Sequence, residues 1–244
     1  MTTLPIAAQL YTVRAQMAQD FAGTLRAVAA LGYDGVEFAG LFNTPASEAR
    51  ALLDELGLRV CSSHVALNLL EQQFDETIAS YQALGCPIVV VPWIDASLRG
   101  DYAALGERLE RLGERVRAAG LRLAYHNHDF ELAGDDGASG LAQLAAASQR
   151  LEFELDCGWV YKAGKSVPAQ IAALAGRLPL LHIKDVDAAG RWAEAGHGEV
   201  GYAPVVAGAA ANGAEWLIVE LDECPRPELE SLRMSLQWLR AQSA

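Results

Sequence analysis

The sequence has few basic residues, no long apolar run and no pair of neighbouring cysteines. Its 19 Lys and Arg face 31 Asp and Glu, which gives a formal net charge of −12 over 244 residues. An acidic excess of this size disfavours nucleic acid and anionic membranes as partners, because its long-range field repels phosphate groups. No apolar run reaches the roughly 18 residues of a membrane-spanning helix, and no basic segment opens the chain as in a secretory signal. We therefore expect a cytoplasmic protein that binds neither nucleic acid nor a membrane.

Cysteine usage and overall composition indicate a reduced protein with a sizeable core. Cys61, Cys86, Cys157 and Cys224 lie far apart and form no CxxC motif. We therefore expect free thiols rather than disulfides or a zinc–thiolate site. Hydrophobic residues make up 52 % of the chain and charged residues 20 %, which excludes a disordered chain.

Short apolar runs alternate with longer segments of helical periodicity along the whole chain. The runs are rich in Val, Ile, Leu and aromatic residues, which is typical of buried strands. They predict eight strands, over residues 6–12, 34–40, 59–65, 87–93, 121–128, 151–157, 178–185 and 215–222. The periodic segments predict helices over residues 21–31, 46–56, 74–84, 102–119, 139–147, 167–174, 204–211 and 228–241. Eight strand–helix units without a long polar linker predict an α/β fold, a single-domain (β/α)8 TIM barrel over residues 1–244.

The competing fold is a doubly wound sheet, which normally needs a glycine-rich phosphate turn after its first strand. The corresponding turn here is QLYTVRAQ and contains no glycine. No glycine-rich loop opens the last helices either, so we expect a substrate without a phosphate group. Residues 187–204 are longer and less regular than the other connections, and we expect them to form a loop over the active face.

Polar residues recur where the predicted strands end. In a parallel barrel both faces of each strand are covered, and enzymes of this fold carry their chemistry at the carboxyl end of the strands. Polar side chains in that position therefore indicate a site. They are Gln9, Tyr11, Glu37, His64, His126, His128, Asp156, His182, Lys184, Glu220 and Asp222, with Glu131 in the loop after strand five.

Asp156, His182 and Glu220 form the most informative subset. If they face the barrel interior, their neighbours Leu155, Leu181, Ile183, Val219 and Leu221 all face the helix layer, so the apolar pattern supports the inward assignment. Two carboxylates and an imidazole converging there would be costly to bury without a cation. Mixed oxygen and nitrogen ligands suit Mn²⁺, Mg²⁺, Co²⁺ or Zn²⁺, and the sequence does not choose among them.

The motifs QLYTVR, HNHDFE, ELDCGWV, LHIKD and IVELD resemble the sugar phosphate isomerase/epimerase group of xylose-isomerase-like barrels. The resemblance runs from Gln9 to Asp222 and implies a divalent metal held by Asp156, His182 and Glu220. Strand five departs from the group, since many of its members have Glu at the position of His126. Either His126 ligates the metal or Glu131 folds back to complete the site, and we favour Glu131 because a second carboxylate better balances a divalent charge.

The resemblance also implies an isomerase or epimerase of a carbohydrate or keto-polyol. In this group a proton is removed beside a metal-bound carbonyl and passes through an enediolate. Glu220 is the expected base, with His126, His128 and Lys184 as further acid–base groups. Because His126 replaces one carboxylate of the usual pair, a keto-polyol dehydratase or a 3-keto-glycoside lyase is the alternative.

Several further residues are candidates for contacts with a sugar. They are Gln9, Tyr11, Glu37, His64, Trp93, Trp159 and His197, each of which also fits an ordinary packing or surface role. Two other functions are alternatives. One is an endonuclease of abasic DNA, which would need more histidine ligands for its three zinc ions than the five histidines here and a basic rather than an acidic surface. The other is a barrel that binds a sugar or a metal without turnover. Members of the group are often dimers or tetramers, so a homo-oligomer is a further expectation.

Overall fold

Eight parallel strands close into a barrel in the computed structural model, which describes residues 4–242. The strands are β1 Ile6–Gln9, β2 Gly35–Ala39, β3 Arg59–His64, β4 Ile88–Val91, β5 Arg122–His126, β6 Glu152–Asp156, β7 Leu180–Ile183 and β10 Trp216–Val219. Their order around the barrel is β1-β10-β7-β6-β5-β4-β3-β2. The predicted α/β barrel and its eight strands are confirmed, each strand one to four residues shorter than its apolar run. The predicted domain bounds 1–244 include residues 1–3 and 243–244, which lie outside the described part.

Helices follow the strands and cover the barrel. They are α1 Arg14–Gln19, α2 Phe21–Leu31, α3 Ala46–Leu56, α4 Leu67–Gln72, α5 Phe74–Leu84, α6 Tyr102–Ala118, α7 Gly140–Ala147, α8 Cys157–Lys162, α9 Val167–Ala173, α10 Tyr202–Ala209 and α11 Glu228–Gln242. All eight predicted helices are present. The sequence did not predict α1, α4 and α8, which have only six residues each and are too short to show a periodic pattern.

The inward and outward faces of the strands separate two apolar cores. The larger core lies between strands and helices and includes Leu155, Leu181, Ile183, Val219 and Leu221. A smaller core fills the barrel interior and includes Leu180 and Ile218, two residues before His182 and Glu220. Because side chains alternate along a strand, His182 and Glu220 stand above this inner core, at the carboxyl end of the barrel. The inward assignment made from the apolar pattern is confirmed.

A register shift between β2 and β3 aligns polar residues above the inner core. Val36 pairs with Val60, but Glu37 pairs with Ser62, so β3 carries one extra residue at Cys61. The bulge brings Ser62 beside Glu37, and the Ser62 hydroxyl donates a hydrogen bond of 2.7 Å to Glu37 Oε1. Bulges of this kind are common next to active sites, where they change the direction of a side chain.

The connection after β7 is partly ordered rather than a plain loop. Two short strands, β8 Asp185–Val186 and β9 Trp192–Ala193, pair antiparallel. This hairpin overlaps the start of residues 187–204, the segment expected to cover the active face, but its first strand precedes that segment. Trp192 packs edge-on against Trp159 with ring centroids 4.8 Å apart. Among residues 4–242 no helix has the length and apolar character needed to cross a membrane. All four cysteines are free, as expected.

Candidate active site

Helix α8 and the loop after β5 fix Asp156 at the carboxyl end of β6. Asp156 Oδ1 accepts a hydrogen bond of 2.9 Å from the Trp159 amide and so caps the helix. The Asn127 side-chain oxygen accepts a hydrogen bond of 2.9 Å from the Asp156 amide. Asp156 Oδ2 is thereby turned inward, where it is buried and accepts no hydrogen bond of good geometry.

Four side chains with metal-ligating atoms converge at this point. His126, Asp156, His182 and Glu220, here called the candidate metal cluster, each offer one ligand atom, and these atoms lie within 4.8 Å of one another. All four residues are buried. Two imidazole nitrogens and two carboxylate oxygens form a donor set that suits a divalent transition ion. The donor set itself fits such an ion, and Asp156 Oδ2 takes part in no hydrogen bond, although it lies 2.9 Å from Lys184 Nζ.

The strand-five member of the candidate metal cluster is His126, which corrects our preference for Glu131. Glu131 is buried, but its oxygens are engaged elsewhere. Tyr125 donates a hydrogen bond of 2.5 Å to Glu131 Oε1, and the His128 amide donates one of 2.8 Å to Oε2. Glu131 thus holds the loop after β5 in place. Residues 4–242 contain two groups of side chains that could hold a metal, the candidate metal cluster and a second one around Glu154, and Glu131 belongs to neither.

Replacing Glu131 should change how the stability of the fold depends on pH. Burial raises the pKa of Glu131 to about 7, although hydrogen bonds from Tyr125 and the His128 amide oppose this. The native state therefore keeps a proton that the unfolded state has lost between about pH 4.5 and pH 7, and stability falls as pH rises through this window. Glu131→Gln has no such proton to lose. The difference in unfolding free energy between this variant and the wild type should therefore shift by about 2–3 kcal/mol in favour of the variant from pH 5 to pH 8.

Urea unfolding at pH 5 and pH 8 measures this difference directly. Glu114→Gln serves as the matched control, because the Glu114 side chain is 58 % exposed. The control should track the wild type at both pH values. Parallel behaviour of Glu131→Gln and Glu114→Gln would contradict a native-state proton on Glu131.

A second group of side chains surrounds Glu154, one layer deeper in the barrel. Glu154 Oε1 lies 2.7 Å from His64 Nε2, 2.9 Å from His126 Nδ1 and 3.1 Å from His182 Nε2. We call these four residues the Glu154 cluster. Burial opposes ionisation of Glu154, but the histidines hold the pKa of this carboxyl well below its usual range. The sequence interpretation missed Glu154, although it precedes Asp156 by two residues and so faces inward by the same alternation.

The two clusters share His126 and His182, which present one nitrogen to each. His126 contacts Glu154 through Nδ1, while its Nε2 lies 3.7 Å from Asp156 Oδ2. His182 contacts Glu154 through Nε2, while its Nδ1 lies 3.2 Å from Glu220 Oε2. A carboxylate behind the second nitrogen of a ligand histidine fixes the orientation and tautomer of its ring. The Glu154 cluster therefore orients two members of the candidate metal cluster.

Glu37 and Gln9 belong to the hydrogen-bond network beneath the site. Gln9 Nε2 donates a hydrogen bond of 2.6 Å to Glu37 Oε2, which lies 2.7 Å from His182 Nε2. Burial and the nearby Glu154 carboxylate raise the pKa of Glu37 to about 7. Both residues are fully buried and neither lines the cavity described below. The structure therefore places these two predicted sugar contacts where they support His182 rather than meet a ligand.

Lys184 is buried among three carboxylates. Its Nζ lies 2.9 Å from Asp156 Oδ2, 2.5 Å from Glu220 Oε2 and 2.7 Å from Asp222 Oδ2. Burial favours the neutral amine, but the carboxylates raise the pKa of Lys184 well above its usual value. Lys184 is therefore a permanent cation and a poor proton donor. Gly158 gives the Lys184 side chain room, since a Cβ at this position would collide with Lys184 Cγ.

Glu220 and Asp222 share Lys184 but have opposite pKa shifts. Burial opposes ionisation of both carboxyls. At Glu220 the charges of Lys184 and His182 prevail and hold its pKa well below the usual range. At Asp222 burial, reinforced by the neighbouring carboxylates, prevails and raises its pKa. Paired carboxyl groups with opposite shifts can serve as a base and an acid.

A cavity of about 790 Å³ opens above the two clusters at the carboxyl end of the barrel. Its lining includes seven residues predicted from the sequence to act in catalysis or binding: Tyr11, His64, Trp93, His126, His128, Trp159 and Glu220. It also includes Arg99 and Phe130, which were not among the predicted site residues, and Asp222, which was noted at a strand end without an assigned role. His197 does not line the cavity. It is exposed near the β8–β9 hairpin, so the structure does not bring it together with the other predicted site residues.

His128 is a neutral group at the cavity wall. Burial, aided by the nearby His126 and Lys184, lowers the pKa of His128 to about 2. Its Nδ1 is buried and has no hydrogen-bond partner. As a neutral imidazole in the cavity lining, His128 can form a hydrogen bond to a substrate hydroxyl, but it carries no proton to release as a cationic acid.

Comparisons with known proteins agree with this architecture. The sequence model of the family described as "Xylose isomerase-like TIM barrel" matches residues 25–242. An inosose dehydratase of Lacticaseibacillus casei is 20 % identical over 236 residues, covering 80 % of this chain and 79 % of that protein.

Two solved structures share the fold at low sequence identity. A sugar phosphate isomerase/epimerase from Parabacteroides distasonis ATCC 8503 superposes with a TM-score of 0.84 at 24 % identity, covering 99 % of this chain and 95 % of that one. An L-ribulose 3-epimerase superposes with a TM-score of 0.77 at 18 % identity, covering 98 % and 94 %.

Proposed function

Because the chain belongs to the xylose isomerase-like TIM barrel family, we propose that it is a divalent-metal-dependent isomerase or epimerase of a small carbohydrate or keto-polyol. The observation that carries this proposal is the candidate metal cluster, whose four ligand atoms lie within 4.8 Å of one another beneath the cavity. Relatives named as an inosose dehydratase and an L-ribulose 3-epimerase support a small sugar-like substrate.

His126, Asp156, His182 and Glu220 would hold the metal. A divalent ion there supplies Lewis acidity, which polarises a carbonyl or hydroxyl oxygen and acidifies the adjacent C–H bond. Glu154 fixes the orientation of the His126 and His182 rings. The hydrogen bond from the Trp159 amide at the start of α8 fixes the carboxylate of Asp156.

Glu220 is the proposed base. It lines the cavity, and its depressed pKa keeps it ionised at neutral pH. Lys184 orients it through the contact at 2.5 Å and keeps this carboxylate charged. In isomerisation or epimerisation, the proton taken from a carbon beside the carbonyl returns to carbon. Here Lys184 is a positioning residue, in place of the acid–base role that the sequence suggested.

The second candidate is a dehydratase or a lyase acting on a 3-keto-glycoside, favoured by the position of Asp222. Lys184 Nζ touches both Glu220 Oε2 and Asp222 Oδ2, so the two carboxyl groups lie on the same side of the site. Glu220 would remove the proton, and Asp222, with its raised pKa, would protonate a leaving oxygen on the neighbouring carbon. The first step is common to both candidates, and the fate of the substrate separates them.

Metal content tests the proposal at its first step. Wild-type protein purified without added metal should hold close to one equivalent of a divalent ion, and His182→Ala and Glu220→Ala should lose it. His197→Ala is the matched control, because His197 is exposed and lies outside the cavity. A wild-type protein that binds no Mn²⁺, Mg²⁺, Co²⁺ or Zn²⁺ would refute the proposal.

Exchange of substrate protons with solvent tests the chemistry. In D₂O, a panel of ketoses and keto-polyols followed by NMR should show deuterium entering beside the carbonyl of one member. Glu220→Gln should lower that exchange about 10²–10⁴-fold, the usual contribution of a positioned base. A new epimer or isomer identifies the leading candidate, whereas loss of water or of an alcohol identifies the second. Unchanged exchange in Glu220→Gln would remove Glu220 as the base.

A further inference from the structure

The mouth of the cavity carries an unusual pair of aromatic side chains. Tyr11 is 41 % exposed and Trp93 is 51 % exposed, and within residues 4–242 these are the only large apolar side chains that are exposed. Both line the same cavity. Tyr11 follows β1 and Trp93 follows β4, three strands apart around the barrel, so they approach the mouth from different sides. Exposed apolar groups concentrated at one opening indicate a binding surface.

The cavity is larger than a single sugar ring requires. A dry cavity of about 150 Å³ accommodates benzene with its six heavy atoms, so about 300 Å³ is enough for the twelve heavy atoms of a hexose. On the same scale a two-ring glycoside of about 20 heavy atoms requires roughly 500 Å³. The cavity here measures about 790 Å³. A sugar bound over the candidate metal cluster therefore leaves space for a second ring toward the mouth.

Trp93 is held in place on the side of this outer space. Its ring meets Phe130 edge-on at a centroid distance of 5.1 Å and His128 at 4.9 Å. The Arg99 guanidinium lies 4.4 Å from the Trp93 centroid and 3.6 Å from that of Phe130. Three neighbours thus fix the indole while half of the side chain stays open, which is the arrangement of a preformed stacking surface.

Arg99 adds a polar donor beside the indole. Its Nη2 donates a hydrogen bond of 3.2 Å to the Ile94 carbonyl, whereas its Nε is buried and has no partner in the described part of the chain. Arg99 also lines the cavity. Nε lies too deep for a ligand in the cavity to reach, but the side chain as a whole is only partly buried. The terminal nitrogens of Arg99 can therefore donate to an oxygen substituent on a ring stacked against Trp93.

We propose that the outer half of the cavity, formed by Trp93, Arg99 and Tyr11, is a subsite for a second ring joined by a glycosidic bond to the reacting sugar. The substrate class is then a keto-glycoside with an aryl or sugar aglycone, which keeps the carbonyl that the proposed reaction needs, rather than a free monosaccharide. This proposal rests on the proposed function for the position of the reacting sugar. Trp93 stacks on the second ring, and Arg99 donates a hydrogen bond to one of its oxygens.

Calorimetric binding to matched glycosides tests the subsite without requiring turnover. The probes are methyl and phenyl glycosides of glucose, galactose and mannose in both anomers, together with disaccharides of the same sugars. For at least one sugar, the phenyl glycoside or disaccharide should bind about tenfold more tightly than the methyl glycoside, the affinity expected of one stacked ring. The tighter of the two identifies an aryl or a sugar aglycone as the preferred second ring.

Variants of Trp93 assign this gain to the subsite. Trp93→Ala should abolish the gain from the second ring, so that this variant binds the phenyl glycoside or disaccharide no more tightly than the methyl glycoside. Trp93→Phe should keep most of the gain, which separates loss of the ring from loss of folding. Phe74→Ala is the control, since Phe74 also stacks with an arginine, 4.0 Å from Arg115 Cζ, but lies outside the cavity.

Three results would overturn the subsite. The first is a set of matched pairs in which no second ring improves binding, and the second is a gain that survives in Trp93→Ala. A dimer that dissociates in Trp93→Ala, with no gain from the second ring, would show that another copy of the chain covers the mouth and would also overturn it. Metal content of the same preparation tests the proposed function separately, because absence of bound metal leaves the ring-dependent gain measurable.

Discussion

Lys184→Met is expected to destabilise the metal-free protein by about 3–5 kcal/mol, the usual cost of breaking a buried ion pair from one side. The Lys184 ammonium group is fully buried and lies within 3 Å of Asp156, Glu220 and Asp222. Methionine fills the same space without a charge, so the variant leaves these carboxyl groups without their cation. Urea unfolding at pH 7 in the presence of EDTA measures the loss.

Lys162→Met is the matched control for this experiment. Lys162 is exposed, stacks on Trp192 with its Nζ 3.6 Å from the ring centroid and forms no ion pair within residues 4–242. Removing it should cost less than about 1 kcal/mol, the usual value of an exposed cation–π contact. Equal losses for Lys162→Met and Lys184→Met would contradict a special role for the buried ammonium group.

A divalent ion should partly rescue Lys184→Met, and by more than it stabilises the wild type. The wild-type ammonium group competes with a metal for Asp156 and Glu220, whereas the variant leaves both carboxylates free. An ion at 100 times its dissociation constant stabilises a protein by about 2.7 kcal/mol. The rescue is measured by repeating the unfolding with Mn²⁺. Identical stabilisation of both proteins would show that Lys184 and the metal do not share these ligands.

The barrel and its inward-facing ligands were predictable because strand periodicity encodes them directly. Alternation along β6, β7 and β10 predicted that Asp156, His182 and Glu220 face inward, and the packing of their neighbours confirms it. The same alternation applies to Glu154 in LEFELDC. Glu154 lies one layer below the strand end, whereas the chemistry of this fold is expected at the strand ends, so its position alone did not mark it as part of the site.

The remaining parts of the site depend on loop geometry, which periodicity does not encode. Glu131 looked like a fourth ligand from charge alone, but the turn after β5 directs it to Tyr125. Arg99 follows a short 3₁₀ turn after β4 and reaches back over Trp93, a path that no local pattern predicts. Asp222 was noted at a strand end, but its role depends on sharing Lys184 with Glu220, which only the folded chain brings about.

Glu154→Gln should weaken divalent metal binding about 10–100-fold, although Glu154 need not touch the metal. One carboxylate oxygen of Glu154 contacts the inner nitrogens of both rings, His126 Nδ1 at 2.9 Å and His182 Nε2 at 3.1 Å. A negative charge there makes each imidazole a stronger ligand and fixes its tautomer. Glutamine keeps the shape but loses the charge, and its amide presents N–H groups where two rings need an acceptor.

Glu152→Gln provides a control on the same strand, two residues away. Glu152 is partly exposed and pairs with Arg122 at 2.8 Å, at the amino end of β6, opposite the site. Its replacement should leave metal affinity within about twofold of the wild type, because a surface ion pair contributes little. Competition titration against a chromophoric chelator measures both dissociation constants. Visible spectra of the Co²⁺ forms report ligand geometry, and Glu154→Gln alone should alter them, since only this change frees two ligand rings to turn. Unchanged affinity and spectra in Glu154→Gln would mean that the histidines hold their positions without it, and that the layer beneath the metal site serves packing alone.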